Sequence, residues 1–464
     1  MKVWSEIWNY MQNFIFYDFE TSGLSSAFDQ PLQFAAIVTD ESLVELERVN
    51  IRCQIAPHIL PSPYALHVTN IHPEQTVEPS LPNLFEFAQT LQEFIAKWSP
   101  ACWLGYNTIA FDEPMMRQMF YQNLQPEIFA TQMNGNTRLD VMKMVMATHA
   151  ETPDALNWPL GDNGKTSFKL DRLAPANGFG HANAHDALAD VEATIFMFHK
   201  IQLGAPLLFT KLLRAREKAA IFTELKSYLP MEITLRFGGN APRTYQGCYC
   251  GTSKSNSNTI GFADFDLNDA AVLAEASEHE VTDFIEGSPK KIRTLAVNKS
   301  ETFRRIDRPT ASMLEFCETV KKSADLRTYV SKALSERYEE RDEADLEIEE
   351  KIYSGFYSKP DRDLLFEFQK ASWSERVSIV NSFDDVRLRQ LGKRLIAFYA
   401  PELLSSEQQN SLKEFLANRW SPSLEKVPWT TANDIWSSLS ELDTKIEMKA
   451  WVEFYETRIK SAAS

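Results

Sequence analysis

The sequence predicts three parts in series: an α/β domain with a mixed sheet over residues 10–203, a small β-domain with helical insertions over 206–350, and an all-helical C-terminal domain over 353–464. Strand-like and helix-like runs alternate through residues 10–200, the pattern of an α/β layer fold. From Leu229 to Phe303, Gly, Ser and Asn separate short β-rich runs, as in a small barrel or sandwich. After residue 351, Leu, Trp and Phe recur at helical spacing with few β signals. A chain of 464 residues also exceeds what one core ordinarily serves.

Residues 14–19 are apolar and rich in β-formers, so they open the first strand. Residues 32–38 and 48–55 follow as a second and third strand, giving a meander with one apolar face. Leu84, Phe87, Ala88, Leu91, Phe94, Ile95 and Trp98 lie at helical spacing, so a helix packs on the sheet. Residues 103–107 read as a short strand and turn. Phe111-Asp112-Glu113-Pro114 then starts a helix toward Tyr121, since Pro suits a first turn and acids favour the positive end of the helix dipole. A second helix covers 139–148, and residues 151–166 are loop. A short helix ends at Gly178, and a long one runs from about 183 to 200. In the β-domain, strands are expected over 232–237, 245–250, 259–265 and 293–297. Its tail is basic, with Lys290, Lys291, Arg293, Lys299, Arg304, Arg305 and Arg308. Residues 311–338 are helical, and 339–350 form an acidic run read as a solvated linker or helix face.

Composition narrows the class. The chain is 44% hydrophobic and 24% charged, as in ordinary soluble proteins. No apolar run reaches membrane-spanning length, so no membrane association is expected. Residues 1–6 lack a basic stretch followed by an apolar core, and no secretory signal is read there. The five cysteines (Cys53, Cys102, Cys248, Cys250 and Cys317) form an odd, scattered set, which suits reduced thiols in a cytoplasm. Cys248 and Cys250 have no second ligand pair at metal spacing, so they read as buried strand thiols. A net charge of −16 argues against a basic nucleic-acid coat protein. It leaves room for an enzyme whose polyanion channel is basic only locally.

The chemistry concentrates at the end of the first strand. Asp18 and Glu20 are two apart, so their carboxylates project on one face. Burying two adjacent negative charges costs several kcal/mol unless a cation neutralises them. A hard divalent ion such as Mg²⁺ is the natural partner for carboxylate oxygen; the alternative is a strand end with two solvated acids. Asp112, His185 and Asp190 complete a set of four acids and one histidine. His185 and Asp190 lie about 140° apart on a regular helix, so they converge only if His185 sits at or before the first turn. Asp186 and Asp190 share a helix face, and periodicity leaves open which of them is the ligand. Two carboxylate-held metal ions about 3.5–4 Å apart clamp both oxygens of a phosphodiester displacement. A histidine near its ordinary pKa suits removal of the water's proton.

These residues also resemble a known family. Asp18-Phe19-Glu20-Thr21, Gly105-Tyr106-Asn107 with Phe111-Asp112, and Asn183-Ala184-His185-Asp186-Ala187 with Asp190 resemble the three motifs of the DEDDh exonuclease superfamily. Gln33-Phe34-Ala35-Ala36-Ile37, Asn157-Trp158-Pro159, Ser167-Phe168-Lys169-Leu170 and Tyr353-Ser354-Gly355-Phe356-Tyr357 are similar to bacterial exodeoxyribonuclease I. The likeness covers residues 12–200 and reappears at 290–305 and 350–365.

The resemblance implies an RNase H-like nuclease domain, an SH3-like β-barrel and a helical domain, forming a C-shaped monomer around single-stranded DNA. It implies processive 3′→5′ release of nucleoside 5′-monophosphates in DNA repair, with two Mg²⁺ per site and Mn²⁺ able to substitute. Carried over, Asp18 bridges both metals, Glu20, Asp112 and Asp190 complete the site, and His185 is the general base. Glu20, Lys169, Arg117 and Arg138 match substrate-binding positions. Lys169 stands where the family has an arginine, which keeps the charge but loses the bidentate fork. The basic tail is the expected DNA contribution of the β-domain. The resemblance also implies binding of the acidic tail of a single-stranded DNA-binding protein, with Lys211, Arg214, Arg216 and Lys218 as a basic lip. Two other readings compete: the same chemistry on RNA 3′ ends or in proofreading, and a nuclease fold without activity. The second predicts a missing ligand, yet all five positions are filled.

Overall fold

The computed structural model describes residues 12–180, 186–299, 302–337, 342–422, 426–442 and 448–463. Two five-stranded sheets organise these residues. The first runs in the order β3(Glu45–Arg52), β2(Pro31–Thr39), β1(Asn13–Thr21), β4(Ala101–Gly105), β5(Thr137–Asp140). β1, β2 and β3 are antiparallel, while β4 and β5 run parallel to β1, so the sheet is mixed as expected.

The single apolar face is not what forms. β2 is buried along its whole length, because the sheet carries a core on each side. One core gathers Ile15, Tyr17, Phe19, Phe34 and Trp103 against the helix Leu84–Trp98. The other gathers Phe14, Phe16, Ile37 and Leu104 against the helices Val141–Glu151 and Ala187–Gly204. β3 starts at Glu45, three residues earlier than expected, and residues 53–55 have already left the sheet. β5 was not expected from the sequence: it has four residues, two of them half-buried and polar, so it carries no apolar alternation.

The second sheet has the order β10(Arg304–Arg305), β6(Met231–Leu235), β7(Arg243–Thr252), β8(Thr259–Asp264), β9(Ile292–Ala296), all antiparallel. Among the described residues no β9–β10 pairing closes it into a ring. Cys248 and Cys250 are buried on β7, as expected. Helices Ala270–Glu275, Glu278–Glu286, Ala311–Lys322 and Ala324–Glu336 cover one face, and Lys218–Lys226 covers the other.

Two charge runs take on internal duties. Arg304 is buried in the β-domain and pairs with Glu232 at 3.0 Å and with Glu151 of the first domain. Arg293 pairs with Asp264 at 2.9 Å. Neither is free for a strand of DNA, which corrects that part of the basic tail. In the acidic run, Glu349 is buried between Arg394 (2.8 Å) and Arg419 (3.0 Å) rather than solvated.

The region after residue 353 is helical throughout its described elements. It does not form a core of its own alone. Leu365, Phe368, Leu388 and Leu391 pack with Phe85 and Tyr121 of the first domain. Trp420, Ile435, Leu439, Trp451 and Tyr455 join the core under β1 and β2. Tyr455 donates to the Pro61 carbonyl (2.8 Å) and Trp420 to that of His58 (3.1 Å).

Candidate active site

The site forms where β1 outruns its parallel neighbour. β4 pairs with β1 only as far as Leu104 against Phe16 and ends at Gly105, while β1 continues to Thr21. Strand alternation puts Phe14, Phe16, Asp18 and Glu20 on one face. The aromatic pair lies in the core, and the acidic pair lies past the point where β4 stops. The N–H of Phe19, deprived of a strand partner there, donates to Oδ1 of Asp112 at 3.0 Å. Asp112 is the first residue of the helix Asp112–Gln122, so one bond both satisfies β1 and fixes the third acid beside the first two.

The turn between β4 and that helix explains the Gly-Tyr-Asn motif. A Cβ on Gly105 would stand 2.6 Å from the carbonyl oxygen of Tyr17 on β1. Asn107 adopts φ +69°, a conformation that Asn tolerates better than most side chains. Its N–H donates to Oδ1 of Asp140 at 3.0 Å, and the same oxygen caps the helix Val141–Glu151 through Met142 N–H. Asp140 therefore holds the turn that delivers Asp112. It was missed in the sequence, although an Asp directly before an apolar helical run is an N-cap signal.

Asp190 comes from the helix Ala187–Gly204, which lies on the same sheet face. Phe198 packs edge-on against Phe14 and Phe16, at 5.5 and 5.3 Å between ring centroids. From Phe198 back to Asp190 is about 12 Å of helix; from Phe16 on to Glu20 is about 13 Å of strand. These matched runs bring Asp190 to the acidic pair, and ligand oxygens of Asp18, Glu20 and Asp190 lie within 4.8 Å of one another. Asp186 is instead the helix N-cap, accepting Leu188 N–H at 3.0 Å. Periodicity left the two aspartates open; the geometry puts Asp190 in the cluster. His185 lies outside the described residues.

Burial and mutual repulsion dominate the electrostatics. Asp18 is raised well above the usual carboxylate range, first by burial and then by Asp112, Glu20 and Asp190. Glu20 is pushed up to about 9 by burial and by Asp190, Asp112 and Asp186, with Arg52 pulling the other way. Arg52 is two strands away, in register through Gln33, whose Oε1 it contacts at 3.4 Å. Burial raises Asp112 to about 8, although the Phe19 N–H favours its charged form. A set of close carboxylate oxygens, disfavoured as anions by burial and mutual repulsion, is the donor set that a hard divalent cation fits.

The remaining expected residues divide. Lys169 is exposed and lines a cleft of about 620 Å³ together with Asp190, Tyr106 and Arg172. Arg117 and Arg138 are both held by Glu113, at 2.9 Å each. Glu113 also accepts from Tyr17 (3.2 Å) and Thr131 (2.7 Å). The two guanidinium groups are mostly buried and committed to that carboxylate, so they are internal cations rather than residues lying open along a DNA path. On the presumed lip, Lys211 pairs with Asp307 at 2.8 Å, and Lys211 and Arg214 line a cavity of about 490 Å³ with Arg305.

The chain is similar in sequence and fold to known exonucleases. A family model described as "Exonuclease" matches residues 15–198, and one described as "Exonuclease I C-terminal domain" matches residues 346–455. The chain is 27% identical to exodeoxyribonuclease I of Haemophilus influenzae over 435 residues, covering 88% of this chain and 90% of that protein. It is 35% identical to exodeoxyribonuclease I of Buchnera aphidicola from Acyrthosiphon pisum over 222 residues, spanning about half, 53%, of that relative. Escherichia coli exonuclease I solved with a dA16 oligonucleotide superposes with a TM-score of 0.80 at 25% identity, over 97% of this chain and 99% of that one. Among the described residues no helix is long and apolar enough to cross a membrane.

Proposed function

We propose that this chain, which belongs to the exodeoxyribonuclease I family, is a 3′→5′ exodeoxyribonuclease that degrades single-stranded DNA processively to nucleoside 5′-monophosphates in DNA repair. The observation that carries the reading is the gathering of the acids Asp18, Glu20, Asp112 and Asp190 at one strand end. These four would hold the metal, read as two Mg²⁺ for which Mn²⁺ could substitute. When bound, the pair supplies Lewis acidity to the attacking water and the leaving 3′ oxygen. His185, carried by the family motif, takes the proton of that water. Lys169 neutralises a substrate phosphate from the edge of the cleft.

The second sheet is read as an SH3-like domain that shares the strand with the helical region. Enclosure by both would keep the DNA from leaving between cuts. The lip at Lys211 and Arg214 is read as the seat of the acidic tail of a single-stranded DNA-binding protein, and the working unit as a monomer in the cytoplasm. The test uses two single-stranded DNA oligomers, one blocked at its 3′ end and one at its 5′ end, with and without EDTA. The 5′-blocked strand should yield mononucleotides, the 3′-blocked strand should survive, and EDTA should stop the release of mononucleotides. Digestion of the 3′-blocked strand, or turnover in EDTA, would refute the reading. A matched RNA oligomer should persist under the same conditions.

A further inference from the structure

The cleft beside Asp190 is walled partly by the second domain. Arg236, just past β6, lines it with Lys169, Arg172 and Asp190. The guanidinium carbon of Arg236 lies 4.7 Å from the ring centroid of Phe168, the residue before Lys169. Phe168 is a fixed platform: it is buried and held edge-on by His149 (5.2 Å) and at a tilt by Trp158 (5.9 Å). The turn after Arg236 also closes on the first domain, since a Cβ on Gly239 would sit 3.4 Å from Lys165 Nζ.

The two arginines of the cleft differ in what they have left to offer. Arg172 is spent on Asp162, with its NH2 nitrogen 2.8 and 2.9 Å from the two carboxylate oxygens. Arg236 uses only Nε, which donates to the Asn240 carbonyl at 3.0 Å. Among the described residues no carboxylate pairs with its two terminal nitrogens. Asp171 also lines the cleft and forms no ion pair with Arg236 among the described residues. A half-buried guanidinium stacked on an aromatic face, with its fork unclaimed, is arranged for an anion.

We propose that Arg236 is a phosphate-positioning residue of the exonuclease, reaching across the domain boundary to supply the bidentate fork that Lys169 lacks. The proposal rests on the function argued above, and its ligand is a backbone phosphate of the single strand near its 3′ end. Lys169 brings a point charge; Arg236 brings planar geometry, already oriented by Phe168, so little side-chain freedom is lost on binding. A strand gripped at once by Lys169 and Arg236 ties the two domains together.

The test compares the parent, Arg236→Ala, Arg236→Lys and Arg236→Ala with Lys169→Arg on a fluorescent thymidine oligomer. Both steady-state digestion with Mg²⁺ and anisotropy binding in EDTA are measured. Loss of a charged hydrogen-bonded contact should raise KM and Kd about ten-fold or more in Arg236→Ala, with kcat little changed. The slope of log K against log salt should become shallower by about 0.7, one phosphate's share on a single strand. Arg236→Lys should recover part of the loss, and Lys169→Arg in the Arg236→Ala background should recover most of it. Parent-like KM, Kd and salt slope in Arg236→Ala would overturn the proposal, as would failure of Lys169→Arg to rescue a variant whose Tm is unchanged. A parent that binds the strand but cuts no 3′ end would instead overturn the exonuclease reading.

Discussion

Asp112 and Glu113 are neighbours at the start of one helix, both nearly inaccessible at 3% and 1% exposure, and their carboxyl groups titrate in opposite directions. Asp112 is pushed up to about 8. Burial would raise Glu113 as well, but Arg138 and Arg117 outweigh it and hold its carboxyl below the usual range. Glu349 repeats the second pattern, with Arg394 and Arg419 overcoming burial. At Glu113 and Glu349 the chain neutralises a buried acid with paired arginines. At Asp18, Glu20 and Asp112 burial and neighbouring carboxylates win instead, and negative charge held in this way is what a divalent ion is attracted to.

The contrast can be broken from either side. The largest effect is expected at the acidic cluster: Asp18→Ala should lower hydrolysis of single-stranded DNA by at least about three orders of magnitude while retaining binding in EDTA. Residual parent-like turnover would remove Asp18 from the chemistry. Next comes the answered acid. Glu113→Gln strands two guanidinium groups in the interior, which should cost about 3–5 kcal/mol in urea denaturation. A loss below 1 kcal/mol would mean that water reaches Arg117 and Arg138.

Asp112→Asn should do the reverse in metal-free protein. Because its folded pKa of about 8 exceeds that of an unfolded aspartate, the folded state holds the proton more tightly, and stability falls as pH rises from about 4 toward 8. Removing the titrating group removes that fall. The thermal stability of Asp112→Asn relative to the parent in EDTA should therefore grow across this window and level off above pH 8. A constant or shrinking difference would contradict the raised pKa. The smallest effect marks the baseline: Lys97→Ala breaks only the exposed pair with Glu47 and should change stability by less than about 1 kcal/mol.

Much of the site was legible because its logic is local. Two acids at strand spacing, a glycine and an asparagine before a helix, and an acid in a helix's first turn each announce themselves within a few residues. The choice between Asp186 and Asp190 was not legible, because it depends on which carboxylate the helix N-terminus takes as its cap. The partners of Arg138, Arg293 and Arg304 were hidden for a related reason: each is neutralised by a side chain that only folding brings near, in two cases across sheet register, whereas Arg117 meets Glu113 one helical turn away, a spacing the sequence does show. β5 escaped notice because four residues with two polar members show no period. The doubly covered sheet was underestimated because its covers come from separate stretches: Val141–Glu151 and Ala187–Gly204 on one face, and on the other Leu84–Trp98 completed by side chains more than 300 residues from β2.

That distant cover bears on when the protein becomes able to cut. On a translating ribosome the strand with Asp18 and Glu20 emerges first, yet part of the wall behind it consists of Trp420, Ile435, Leu439, Trp451 and Tyr455. At about 5–20 residues per second, tens of seconds separate the two. A nascent chain thus carries all four acids well before Trp420, Ile435, Leu439, Trp451 and Tyr455 complete the core behind β1 and β2.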